Sequence, residues 1–466
     1  MNGAGPSHQN EPQINQHQSS VPDVPGEDVD EKQARSLSAK VASLCGLRHT
    51  RFPGAQPVSF ARSSLDQLKE EDYWVCEKSD GQRVLMFIAW NKATESQEVY
   101  LIDRKNKYKR QPLSIVFPFH EIPPSQKAMA ALQLGSLNEK YAVRKDTLLD
   151  GELVWDVSKS GERRMRLLLF DCIILDGQSL AQRPLSRRYG SLMNQIVPPH
   201  KHFLQEFPAA ARDAPFEVKV KRMQLAYHLS TVLDQHIPQL EHGNDGLIFT
   251  CVNSGYIFGT DPKIIKWKPP SENTIDFKLR LRFPPDLAKD PRGNLPDLQA
   301  KPFFQLDEFT GGQRDNYRYF DWLYVEDDEW EDMKASGEQF DDRVVECSWD
   351  PNGGPLEPSQ KANGANGELD SSRPPCWRLH RIRDDKHDGN HTSIVQKIIQ
   401  SIVDGVEKDE LLQEEGTIRS LWKSEERERF RTAREKGRES GVDMFSKKRG
   451  APPPMRGEPP SWFRRT

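Results

Sequence analysis

The 466-residue chain has only six cysteines, Cys45, Cys76, Cys172, Cys251, Cys347 and Cys376, each isolated from the others. No CxxC pair or other metal-ligand spacing occurs, which suits a reducing compartment. Long apolar runs are also missing. No stretch is long enough to span a bilayer, and the opening MNGAGPSHQNEPQ lacks the apolar core of a secretory leader, so a soluble intracellular protein without membrane attachment is expected. With a formal net charge of −4, bulk electrostatics gives no sign of a nucleic-acid binder. There is no GxxxxGK[ST] loop, which excludes a P-loop enzyme. No cysteine follows a histidine, which excludes the HCx5R phosphatase signature.

What the chain does have is organised in blocks. Residues 1–38 are poor in apolar side chains and read as a disordered tail. From 39 to 272 short apolar runs alternate with polar turns in an α+β manner. The strand candidates are VLMFIAW, VYLIDR, TLLDGELVW, MRLLLFDCIIL, DGLIFTCV and KIIKWK. A second globular region is expected over 273–405, with strand-like WLYV, RVVECSW and WRLHRIR, and a flexible Gly/Pro/Asn insertion at 351–375. Within it, 321–350 carries twelve acidic residues against Lys334 and Arg343. Ile394, Val395, Ile398, Ile399, Ile402 and Val403 recur at helical spacing, which predicts a helix with a buried face. Residues 406–466 read as a charged helix followed by a basic, Pro-rich tail, with KKR at 447–449 as a candidate import signal or RNA-facing patch.

Charged residues interrupt the best strands. Lys78, Asp80 and Arg83 surround Gly81 in WVCEKSDGQRVLMF, and Asp103 and Arg104 end VYLIDR. Asp150, Gly151 and Glu152 sit inside TLLDGELVW, Asp171 cuts LLLFDCIIL, Asp245 precedes GLIFT, and Lys266 and Lys268 flank Trp267. Residues two apart on a strand share a face, so Asp150 pairs with Glu152 and Lys266 with Lys268. A single such charge reads as a solvated face. Six charged knots set among core-grade residues need partners, and one shared cleft supplies them. Lysines and arginines suit phosphate oxygens, and carboxylates suit a bridging magnesium ion. Lys78 then becomes a candidate amine nucleophile toward an α-phosphate, its pKa lowered by neighbouring cations such as Lys266 and Lys268 and by partial burial.

These knots resemble the motifs of the covalent nucleotidyltransferases, the superfamily of mRNA capping guanylyltransferases and of DNA and RNA ligases. KSDGQR at 78–83 fits KxDGxR, and LIDRKN (101–106), LLDGELV (148–154), LLLFDCIIL (167–175), NDGLIFT (244–250), KIIKWKP (263–269) and RIRDDK (381–386) follow in the family's order. FPGAQPVSF at 52–60 and TIDF after KWKPP resemble the capping branch, its fungal members above all. The alternative is an ATP-dependent polynucleotide ligase, which usually carries a DNA-encircling domain before the lysine that does not fit here. A non-catalytic module is disfavoured by the intact motif residues.

The resemblance implies a nucleotidyltransferase domain followed by a C-terminal OB-fold. It implies that Lys78 attacks GTP and holds GMP for transfer to the 5′-diphosphate end of RNA. It further implies nucleotide binding by Arg83, Arg104, Asp150, Gly151, Glu152, Lys266, Trp267 and Lys268, and by the lid residues Arg383, Asp385 and Lys386. Glu152, Asp245 and Asp276 are the metal ligands it implies, for Mg2+ or Mn2+. Phe170 is either a base-stacking ring or a core residue, and Lys221 either a guanine reader or, preferably, a surface lysine. The implied partners are a separate RNA 5′-triphosphatase (beta) subunit in a heteromer and the transcription machinery, and the implied location is the nucleus.

Overall fold

A computed structural model describes residues 21–94, 96–118, 143–312, 316–355 and 373–439. The chain divides into two compact units, residues 1–58 with 72–265 and residues 59–71 with 266–466.

The first unit is built on an eight-stranded, largely antiparallel sheet. Its strands are β1 (Glu27–Asp28), β4 (Gln82–Asn91), β5 (Ser96–Ile102), β6 (Tyr108–Arg110), β7 (Thr147–Val157), β8 (Arg163–Leu175), β9 (Gln178–Ser179) and β10 (Glu217–Val220). The order is β1-β6-β5-β4-β7-β8-β10, with β9 on β8 and β10 parallel to it. VLMFIAW reads as an unbroken apolar run because β4 is buried on both faces. Val84, Met86 and Ile88 pack toward Leu192 and Ile196, while Leu85, Phe87 and Ala89 pack toward Leu37, Val41 and Tyr256. Each such side chain contributes on the order of 1.5–3 kcal/mol. A second sheet has the order β11-β3-β12-β13-β2, from β2 (Ala55–Ser59), β3 (Tyr73–Ser79), β11 (Gln224–Leu225), β12 (Asn244–Cys251) and β13 (Gly259–Trp267).

The expected N-terminal tail is corrected in its second half. Asp30 accepts the Gln33 amide at 2.9 Å and starts a helix over Glu31–Cys45. Leu37, Val41 and Ala42 on that helix are buried, so a few well-spaced apolar residues outweigh a polar composition. Residues 1–20 lie outside the described residues.

The second unit holds a closed five-stranded barrel of β14 (Thr274–Arg282), β15 (Phe303–Phe309), β16 (Tyr317–Leu323), β17 (Val344–Asp350) and β18 (Cys376–Ile382), ordered β14-β15-β16-β18-β17. The barrel is the form expected for the OB-fold. Ile275, Phe277 and Leu279 alternate into its core with Leu306, Val345 and Trp377. The helix anticipated from isoleucine spacing runs Thr392–Val403 and buries Val395 and Ile399. WLYV contributes only Trp322 and Leu323 to β16. The charged helix runs Glu425–Glu439; most of the 351–375 insertion and all of 440–466 lie outside the described residues.

The unit boundary falls inside β13 after Ile265, earlier than the expected 272/273. The Phe60 amide donates to the Lys266 carbonyl at 2.8 Å, the Arg62 amide to Asp404 at 2.8 Å and the Trp267 indole to Val406 at 2.8 Å. These bonds draw 59–71 and the end of β13 into the second unit.

Candidate active site

In the first unit, Lys78 stands near the end of β3 and Asp245 near the start of β12, and the Lys78 ammonium donates to the Asp245 carboxylate. Strand pairing alone does not produce this contact. Asn244 pairs with Ser79 and Leu247 with Glu77, so an extra residue bulges between them, with Gly246 at φ 143°. That backbone angle requires glycine and swings the preceding carboxylate toward the lysine. Gly81 is equally constrained: a Cβ there would lie 2.4 Å from the Leu153 carbonyl, so only glycine lets the turn after Lys78 press onto β7. The Asp80 amide closes the turn on the Gly243 carbonyl at 2.8 Å.

Arg83 opens β4 and grips Asp150 through two bonds, Nε to Oδ1 at 3.0 Å and Nη2 to Oδ2 at 2.6 Å. Tyr256 donates to the same carboxylate at 2.5 Å, and Arg83 also donates to the Ala55 carbonyl. Burial opposes the charge on Arg83, but Asp150 and the other acceptors hold its pKa above the ordinary value. Asp150 has no exposed surface. Its oxygens accept from Arg83 and Tyr256, so within this unit the residue expected to bind nucleotide fixes the arginine. Gly151 lies in mid-strand, where a Cβ would come 3.0 Å from the Leu168 carbonyl and 3.1 Å from the Leu167 and Leu169 side chains. Phe170 is half-buried with the Arg83 guanidinium 5.7 Å from its ring centre, so it is not a fully enclosed core residue.

A second polar group lies beside these. Lys221, preferably a surface lysine from sequence, is buried, its Nζ 2.7 Å from the Ser79 hydroxyl, 3.5 Å from Glu152 and 3.6 Å from Glu77. Burial disfavours its charge, yet Glu77 and Glu152 raise its pKa above normal. Glu77 is held below the usual carboxylate range: burial works against this, and Lys221 and His242 overcome it. His242 Nδ1 lies 2.7 Å from Asp156, which in turn pairs with Arg166. Glu77, Asp156, Arg166, Lys221 and His242 border a cleft of about 220 Å³. Sequence reading missed Tyr256, Glu77, Asp156 and His242. Glu77, Asp156 and His242 lie in or beside charged knots, which was the one available signal, and Tyr256 had none.

The remaining expected residues divide between the units. Arg104 is exposed on the turn after β5. Lys266, Trp267 and Lys268 belong to the second unit. Trp267 is buried, with its indole N–H donating to the Val406 carbonyl, which anchors this end of β13. Within the barrel unit, Arg383 donates to Asp276 at 3.0 Å and to Asp385 at 2.7 and 2.8 Å, and Lys386 also donates to Asp276. Asp276, expected as a metal ligand, is a buried carboxylate paired with Arg383 and Lys386. Among the described residues no three His, Cys, Asp or Glu side chains gather as a metal cluster.

An amine held against a carboxylate at a strand end, beside a clamped arginine and a DGE strand, with a five-stranded barrel in the following unit, defines a nucleotidyltransferase of the covalent, ligase-like class. Residues 20–270 match the model for the mRNA capping enzyme catalytic domain and 272–412 that for the mRNA capping enzyme C-terminal domain. The chain belongs to the mRNA capping enzyme family. It is 40% identical to the mRNA-capping enzyme subunit alpha of Neurospora crassa, over 86% of this chain and 93% of that protein. The Schizosaccharomyces pombe subunit alpha is 37% identical over 86% and 88%, and that of Saccharomyces cerevisiae 34% over 86% and 87%. Among solved structures, mycobacterial DNA ligase D complexed with ATP and MES is 14% identical with a TM-score of 0.31, covering 72% of this chain and 95% of that one.

Proposed function

We propose that the chain is an mRNA guanylyltransferase working through a lysyl-GMP intermediate on Lys78. The observation that carries this reading is the Lys78 amine held by Asp245 next to the glycine-pressed turn, in a chain of the capping family. Lys78 Nζ attacks the α-phosphorus of GTP, a P–N bond forms, the α–β P–O bond breaks and pyrophosphate leaves. A β-phosphate oxygen of diphosphate-ended RNA then takes the GMP and restores the amine.

Asp245 orients Nζ, and Arg83, locked by Asp150, faces the ribose and phosphates. Lys221, with its donors inside the cleft, suits the O6 acceptor of guanine. Glu152 and Asp245 supply hard oxygen ligands, and magnesium typically takes one or two carboxylates with substrate phosphates completing its shell. The donor set therefore fits Mg2+ or Mn2+, which when bound neutralises phosphate charge. Arg383 and Lys386 are the cations for the β- and γ-phosphates. The relatives' name, subunit alpha, supports a multi-subunit assembly. A separate RNA 5′-triphosphatase is the partner its substrate chemistry calls for, and the nucleus is the place where nascent RNA is met.

The test is covalent labelling. With α-labelled GTP and magnesium the protein should keep label through denaturation, acid-labile and base-stable. Lys78→Arg, whose guanidinium cannot supply a neutral amine, should keep none. The labelled protein should cap diphosphate-ended RNA and leave triphosphate-ended RNA unchanged. Labelling from ATP and not GTP would make it a ligase.

A further inference from the structure

The contact between Lys78 and Asp245 depends on a bulge, and bulges hold position only when something fixes their ends. Here the segment just before β12 is stitched on two sides. The Val157 amide donates to the Glu241 carbonyl at 2.8 Å, and the Asp80 amide to the Gly243 carbonyl at 2.8 Å. Between those bonds lies His242, its side chain only 6% exposed. Nδ1 is 2.7 Å from Asp156 Oδ1 near the end of β7, while Nε2 faces Ser79 at 3.5 Å and Glu77 at 3.7 Å on β3. Asp156 is itself steadied by Arg166, which also reaches Glu217 at 3.0 Å and Glu241 at 3.7 Å. One imidazole thus bridges the strand that carries Glu152 and the strand that carries Lys78, three residues before Asp245.

We propose that His242 is a positioning residue for the covalent step: it fixes the bulge so that Asp245 meets the Lys78 amine. The proposal rests on the guanylyltransferase reading above and adds to it a residue that touches neither nucleotide nor nucleophile. Loss of the bridge lets the bulge relax by a fraction of an ångström or more. A misplacement of that order costs about 10- to 100-fold in rate.

The experiment is a double-mutant cycle on the full chain, read as the single-turnover rate of Lys78 labelling by α-labelled GTP. His242→Ala should slow labelling about 10- to 100-fold, with the GTP concentration for half-maximal rate nearly unchanged. His242→Asn, whose amide N–H falls where Nδ1 lies, should recover most of the rate. His242→Gln, whose amide sits one carbon further out, should not. In an Asp245→Asn background the His242 changes should cost less than about threefold, because the group they position is already gone. A histidine needed only for folding would lower the labelled amplitude and leave the rate unchanged, and one acting independently of Asp245 would slow both backgrounds by the same factor. Multiplying effects would therefore overturn the proposal, as would a His242→Ala rate within threefold of the parent. If His242→Ala does not fold, His242→Gln takes its place in the cycle, and full activity of that variant is equally fatal. A parent chain that takes no label from GTP defeats the functional reading itself. A labelled parent with multiplying variants defeats only the positioning role.

Discussion

Replacing Asp150 tests whether the DGE aspartate is structural support. Its carboxylate is fully enclosed and accepts from Arg83 Nε at 3.0 Å, Arg83 Nη2 at 2.6 Å and Tyr256 at 2.5 Å. Asp150→Ala removes all three bonds and strands a guanidinium whose side chain is only 11% exposed. Breaking a buried pair by removing one partner costs about 3–5 kcal/mol, because the surviving charge is left largely buried without its paired carboxylate. Against a total stability of about 5–15 kcal/mol that is a large fraction. Asp150→Asn keeps an acceptor and should lose roughly half as much. Arg83→Met with Asp150→Leu removes both charges and should be more stable than Asp150→Ala alone, since nothing is left uncompensated. The assay is native-state amide exchange of β4 and β7, which reports this unit separately from the barrel. A loss below about 1 kcal/mol in Asp150→Ala, or a double variant no better than that single one, would show that Arg83 finds other partners and that the clamp is not what holds it.

Two further outcomes follow from the same geometry. Arg383→Ala and Lys386→Ala, each removing a cation proposed for the β- and γ-phosphates, should slow Lys78 guanylylation about 30- to 1000-fold. They should affect GMP transfer from a preformed adduct to diphosphate RNA much less, and single-turnover assays of each half-reaction decide it. Glu77, held below the ordinary glutamate range, contributes stability that is present above its unfolded pKa and lost as pH falls through its lowered folded pKa. Acidification should therefore cost the parent more stability than Glu77→Gln, and urea unfolding of the two between pH 6 and 3 should converge at the acid end.

Much of this was legible in the sequence because β-strand alternation exposes anomalies. An aspartate or glutamate inside LLLFDCIIL or LLDGELV has no bland place to point, and the structure gives Asp150, Asp171 and Glu152 charged neighbours. What alternation does not give is a partner's identity. Asp150 is held by Arg83 and by Tyr256, more than a hundred residues away, and no spacing rule links them. Lys221 was misjudged because KVKR looks solvated; Glu77 and Glu152 make its burial tolerable, and both come from other strands. Trp267 sits between two motif lysines, yet its indole faces Val406, a contact set by tertiary packing alone. The helix over Glu31–Cys45 was hidden by composition, since few of its residues are apolar.

The excursion of residues 59–71 into the barrel unit has a consequence for how the protein is made. Phe60, Leu65 and Leu68 are buried there, the helix Ser64–Glu70 packs on the helix Glu415–Trp422, and Lys69 meets Glu414 at 2.9 Å. A ribosome that has finished residue 71 must still add more than three hundred residues before those partners exist. At about 5–20 residues per second that delay is roughly 20–70 s. Throughout it the helix Ser64–Glu70 lacks the surface that covers Leu65 and Leu68, so the barrel unit cannot be completed until nearly the whole described chain has been made.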